Sequence, residues 1–166
     1  MLLIAYDGSA DARSAIEHAA SLWPGEGATV LTVWTPFVEV MAHSGAGLGF
    51  SPGMVDYDEV DAASKENAEQ RANEGAELAR TAGLDAQPRA VSQQTTTAAA
   101  ILSEAAAVDA RAIVVGSRGL TGIKSFLLGS VSHAVLHHAD RPVVVITSDD
   151  VVRAREAHQP DSAAEV

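Results

Sequence analysis

Ala112-Ile113-Val114-Val115-Gly116-Ser117-Arg118-Gly119 is followed, nine residues on, by Gly129-Ser130-Val131-Ser132. The first four residues are small or β-branched and apolar, which suits a strand buried on both faces, and the glycines end it at once. A helix is expected to start around Ser130 and to carry Val131, Val135 and Leu136 before stopping near Ala139. The segment thus reads as a strand, a glycine-rich loop at the strand's carboxyl end, and a helix N-terminus. Glycines there let backbone N–H groups approach an anion, and the first helical turn adds unpaired donors and a partial positive charge. Ser130 and Ser132 add hydroxyl donors. A plain turn with an N-cap would use the same residue types, so the choice falls to the rest of the chain.

Working outward, four more short apolar runs appear: Leu2 to Tyr6, Ala28 to Trp34, Asp85 to Val91 and Pro142 to Thr147. Between the first two, Ala12, Ala15, Ile16, Ala19 and Leu22 recur at helical spacing, and Pro24-Gly25 closes the segment. Further helices are expected from about Asp58 to Ala82, stopping at Gly83, and from Thr95 to Val108. Strands alternating with helices predict an α/β fold: a single doubly wound domain with a five-stranded parallel sheet of order 3-2-1-4-5 and helices on both faces. The domain is expected to span residues 1–148, with a flexible polar tail over 149–166. Pro36 to Val55, with Gly45, Gly47, Gly49, Pro52 and Gly53, reads as a long mobile connection of the lid or binding-loop kind.

Composition narrows the function. At 166 residues with a net charge of −11 and no basic cluster, the chain would repel a polyanion, so nucleic acid is not an expected partner. The absence of cysteine removes thiol catalysis and disulfides. No run approaches the roughly 18 apolar residues of a membrane span, and the first residues lack a basic start, so no membrane association and a cytoplasmic location are expected.

Asp7-Gly8-Ser9 also stands at a strand's carboxyl end before a helix. In the order 3-2-1-4-5 the first and fourth strands are neighbours where the winding reverses, which sets Asp7 and Gly116 at one crevice. A carboxylate there can accept hydrogen bonds from ribose hydroxyls while the glycine loop holds phosphates. Taken alone, Asp7 would be an N-cap or turn residue.

Gly-x-x-Gly, nine residues, then Gly-Ser resembles the ATP-binding loop of the universal stress protein family, and Gly116, Gly119, Gly129 and Ser130 fit it without a gap. Asp7 in Tyr-Asp-Gly-Ser matches that family's ribose-contacting aspartate, and Val33 matches the position whose backbone contacts adenine. The resemblance covers about residues 1–147 and implies ATP with Mg2+. Phosphate contacts would come from Gly116, Ser117, Arg118, Gly119, Gly129, Ser130, Val131 and Ser132. It also implies a homodimer through the last strand, Pro142 to Ile146. Two places depart from the family. Ser92-Gln93-Gln94-Thr95-Thr96 stands where many members carry Gly-x-Pro, and Arg111 stands where Asp is usual, at the end away from the crevice.

Other signals carry less. Gly122-Ile123-Lys124-Ser125 lacks the spacing of a P-loop, and the glycines around Gly47 do not sit between a close strand and helix. His133 and His137, with His138 adjacent, have metal-compatible spacing but no cysteine or clear third ligand beside them, and histidines favour the negative end of a helix. Asp56, Asp58, Glu59 and Asp61 suit a helix start better than a calcium loop. The expected function is a regulatory ATP-binding stress-response protein whose nucleotide occupancy modulates the dimer or an unknown protein partner. Slow ATP hydrolysis or adenylate handling, and a nucleotide-free interaction module, are the alternatives.

Overall fold

The computed structural model describes residues 1–44, 56–119 and 128–148. In chain order these form β1 (Leu2–Ala5), α1 (Ala10–Leu22), β2 (Gly27–Trp34), α2 (Phe37–Ser44), α3 (Tyr57–Thr81), β3 (Asp85–Ser92), α4 (Thr97–Ala107), β4 (Ala112–Gly116), α5 (Ser130–His138) and β5 (Val143–Ile146). The five strands make one sheet of order β3-β2-β1-β4-β5. Every pair is parallel, with Leu2 opposite both Ala28 and Ala112 in the central strands. The predicted fold class and strand order are those observed.

Alternation along the strands builds two cores. Leu2 and Ile4 of β1, Val30 of β2 and Val114 of β4 face α1 and α3, where they meet Ala12, Ala15, Ile16, Ala76 and Ala79. Leu3, Leu31, Ile113 and Val115 face the other way, onto Ala98, Ile101 and Ala105 of α4 and Val135 of α5. Helices α1 and α3 bury mostly alanine, so they lie close to the sheet. Pro88 is tolerated because β3 is an edge strand, where a missing N–H faces no partner.

Three expectations change. Part of the long connection is helix: Pro36 O accepts from the N–H groups of Glu39 and Val40, and Asp61 Oδ1 of α3 accepts from Phe37 N at 2.6 Å. The Phe37 and Tyr57 rings meet with centroids 5.5 Å apart. Residues 45–55 of that connection, with its glycines, lie outside the described residues, as do 149–166, assigned above to a tail. Leu22, which shares the helical spacing of the buried Ala12, Ala15, Ile16 and Ala19, is exposed; in α5, Val135 and Ser132 are buried whereas Val131 and Leu136 are exposed. Helix α4 starts at Thr97 because Thr96 caps it, its Oγ1 accepting from Ala99 N.

Candidate functional site

The loops leaving β1 and β4 meet at the switch point of the sheet. In the first, Asp7 Oδ1 accepts a hydrogen bond from Ser9 N at 2.9 Å, and Gly8 turns the chain with φ +84°, a conformation costly for residues with a side chain. Ser9 caps α1, its Oγ accepting from Ala12 N at 3.2 Å and lying 3.4 Å from Arg118 O across the crevice. Arg71 of α3 brings its Nε to 3.5 Å from where a Cβ on Gly8 would stand, which places a cation beside the turn.

The second loop folds back on itself. Gly129 N donates to Ser117 O at 2.8 Å, and Ser132 Oγ donates to Gly116 O at 2.6 Å, so both ends of the glycine loop are tied together. Gly119 lies against Asp7: a Cβ built on it would stand 2.5 Å from Asp7 Oδ2. The structure therefore gathers Asp7, Gly116, Ser117, Arg118, Gly119, Gly129 and Ser132 into one cluster. Residues 120–127, including Lys124, lie outside the described residues.

Ser130 and Val131 open α5, whose N-cap Gly129 offers no side-chain hydrogen bond, whereas α1, α3 and α4 are each capped by their own Ser, Asp or Thr. The N–H groups of that first turn keep the capacity to bind an acceptor from outside the helix. Beside them is a cavity of about 630 Å³ whose walls include Thr35, Glu39, Gln93, Thr97, Ser130 and Val131. Gln93 belongs to the stretch that departs from Gly-x-Pro, and its Oε1 accepts from Thr97 Oγ1 at 2.9 Å. Thr35 stands in this wall, whereas Val33 is half-buried and packs on the core beneath.

Nothing in the sequence singles out Asp11, yet its carboxylate accepts four hydrogen bonds from the loops around it. It is 5% exposed. One oxygen accepts from Ser117 Oγ at 2.6 Å and Arg118 N at 3.1 Å, the other from Ser148 Oγ at 2.6 Å and Ser148 N at 3.3 Å. Arg118 Nε lies 3.8 Å away. Burial pushes the Asp11 carboxyl up, but the Ser117 and Ser148 hydroxyls, the Ser148 N–H and the Arg118 charge outweigh it and hold the group below its ordinary 3.8. A carboxyl depressed in the folded state adds stability above its unfolded pKa and loses it as pH falls through the folded value. The stability difference between the native chain and Asp11→Asn is therefore expected to be level above about pH 5 and to shrink below about pH 4, read by urea unfolding across that range.

Arg118 is turned toward Asp11 and the Ser132 hydroxyl is spent on Gly116 O. Among the described residues no group of three or more His, Cys, Asp or Glu could hold a metal ion, and no helix is long and apolar enough to cross a membrane.

A family model described as "Universal stress protein family" matches residues 1–147. The chain is similar to universal stress protein YxiE of Bacillus subtilis, 37% identical over 81 residues, 49% of each chain. It spans half or less of the length of the curated relatives it matches. Among solved structures it resembles a universal stress protein in complex with cAMP, with 22% identity, TM-score 0.55, and 88% of this chain and 94% of that one covered. It likewise resembles the universal stress protein of Archaeoglobus fulgidus in complex with dAMP, with 22% identity, TM-score 0.52, and coverage of 87% and 95%.

Proposed function

Since the chain belongs to the universal stress protein family, we propose that it is a regulatory adenine-nucleotide-binding protein of the stress response, taking ATP with Mg2+ at the crevice between β1 and β4. One observation carries the reading: the Asp7 carboxylate stands against Gly119 at the switch point, beside a helix N-terminus without a side-chain cap. In this assignment Asp7 accepts from ribose hydroxyls, and the phosphates meet backbone N–H groups from Gly119 and from Gly129 to Ser132. The base lies toward the end of β2, near Val33 and the cavity bordered by Thr35.

The residues fit such a ligand. The glycine at 119 leaves room where a methyl would crowd Asp7, and the first turn of α5 supplies donors that suit an anion. Mg2+ would ride on the phosphates, since this ion binds readily through phosphate oxygens and water with few protein ligands. Adenine-nucleotide complexes of two family members with the same fold add support. Occupancy would be read out through a homodimer formed along β5, an edge strand, or through a protein partner, in the cytoplasm. Hydrolysis would be slow, because Arg118 is committed to Asp11 and phosphoryl transfer needs charge and a positioned water at the γ-phosphate.

The reading is tested by releasing nucleotide from the purified protein and weighing it. An adenine nucleotide in the mass spectrum, or its uptake from millimolar Mg-ATP, is the expected outcome. Protein that carries none and takes up none would contradict it, and phosphate release at about 1 per second or faster would overturn the assignment as a slow enzyme.

A further inference from the structure

We propose that Asp11 is a positioning residue that couples the glycine loop to the carboxyl end of β5, one carboxylate oxygen on each. Oδ2 holds Ser117 Oγ and Arg118 N, the first residues after β4. Oδ1 holds both the hydroxyl and the N–H of Ser148, two residues past the end of β5. Asp11, Ser117 and Ser148 are 5%, 3% and 6% exposed, so water does not compete for these hydrogen bonds, and a buried charge must keep its donors. A carboxylate is a rigid plane. Turning it to follow Ser117 moves the acceptor presented to Ser148, and the reverse.

The anchor of this bridge is itself part of the crevice. Asp11 lies in the first turn of α1, two residues after the Ser9 cap and four after Asp7. A shift of the glycine loop therefore has two routes to β5: the last rung of the ladder, Ser117 N to Ile146 O at 2.6 Å, and the Asp11 carboxylate. The ladder continues whatever stands at position 11, whereas the second route runs through side chains and can be cut by substitution. That nucleotide drives the coupling rests on the reading above; the mechanical link does not.

The link is tested first without nucleotide, by amide hydrogen exchange on the full chain, with the buried Ile4 amide as the reference for global opening. Ser148→Ala is expected to speed exchange at Arg118 about tenfold relative to Ile4, and Ser117→Ala to do the same at Ser148. In an Asp11→Asn background neither substitution should have a further effect. Exchange at Arg118 that ignores Ser148→Ala, or responds equally with Asn at position 11, overturns the proposal. Mg-ATP is then added to the native chain and to Ser148→Ala. Protection of both 117–119 and 143–148 in the native chain, reduced to 117–119 in the variant, is the expected result. Protection confined to the loop in the native chain refutes the coupling and spares the nucleotide reading. No protection anywhere refutes the nucleotide reading, and the nucleotide-free measurements still decide the link.

Discussion

Asp11→Ala is expected to cost the domain about 3–4 kcal/mol, because it strands buried donors that all converge on one carboxylate. Ser117 and Ser148 would each keep a buried hydroxyl aimed at an empty volume, and the Arg118 and Ser148 N–H groups would lose their acceptor. The Arg118 guanidinium would lose its counter-charge. Chemical denaturation of the two proteins at pH 7 measures the difference. Exposed acidic positions supply the contrast: Glu77 pairs with Arg80 at 2.8 Å with a side chain 73% exposed, and Glu77→Ala should change stability by less than about 0.5 kcal/mol.

Gly116→Ala should cost about 2–3 kcal/mol and weaken nucleotide binding about tenfold or more. The added methyl would stand 2.9 Å from Ala12 N and from the carbonyl carbon and Cβ of Asp11. Two of these three atoms are backbone in the first turn of α1, so the clash cannot be relieved by a rotamer change. The helix start must back away from β4. That separates the Asp7 turn from the glycine loop, the two halves of the proposed site. Gly27→Ala in β2 is the control, since a Cβ there meets nothing within 4 Å. The pair, compared by unfolding and by nucleotide titration, separates loss of a glycine as such from loss of close approach.

These two positions also mark where sequence was a good guide and where it was not. Gly116 is legible once the chain is read as a whole, because a glycine that ends Ala-Ile-Val-Val at a strand's carboxyl end falls, in the expected strand order, beside Asp7. The strand order followed in the same way from alternation and the right-handed crossover. Asp11 is not legible. An acidic residue in the first turn of a helix is ordinary, as it meets the positive end of the dipole, and nothing local says that its partners lie 106 and 137 residues away.

Helix α2 was missed for a related reason. Eight residues give too few turns for periodicity to speak, the glycines beyond it dominate the composition, and what holds Phe37 is the carboxylate of Asp61 on another helix. Val131 and Leu136 are as apolar as Val135, and nothing local ranks the three, yet the tie from Ser132 to Gly116 O goes with a rotation of α5 that buries Val135 and leaves the other two exposed. Ser132 was read only as a potential phosphate donor. Its buried hydroxyl is instead a brace that closes the glycine loop.

The central claim, an adenine nucleotide held between Asp7 and the glycine loop, is tested most directly by titrating Mg-ATP calorimetrically into the native chain and Asp7→Ala. Saturable binding to the native protein, weakened about tenfold or more when the carboxylate is removed, is the predicted result. No heat at millimolar ATP, or equal affinity in the two proteins, would contradict it.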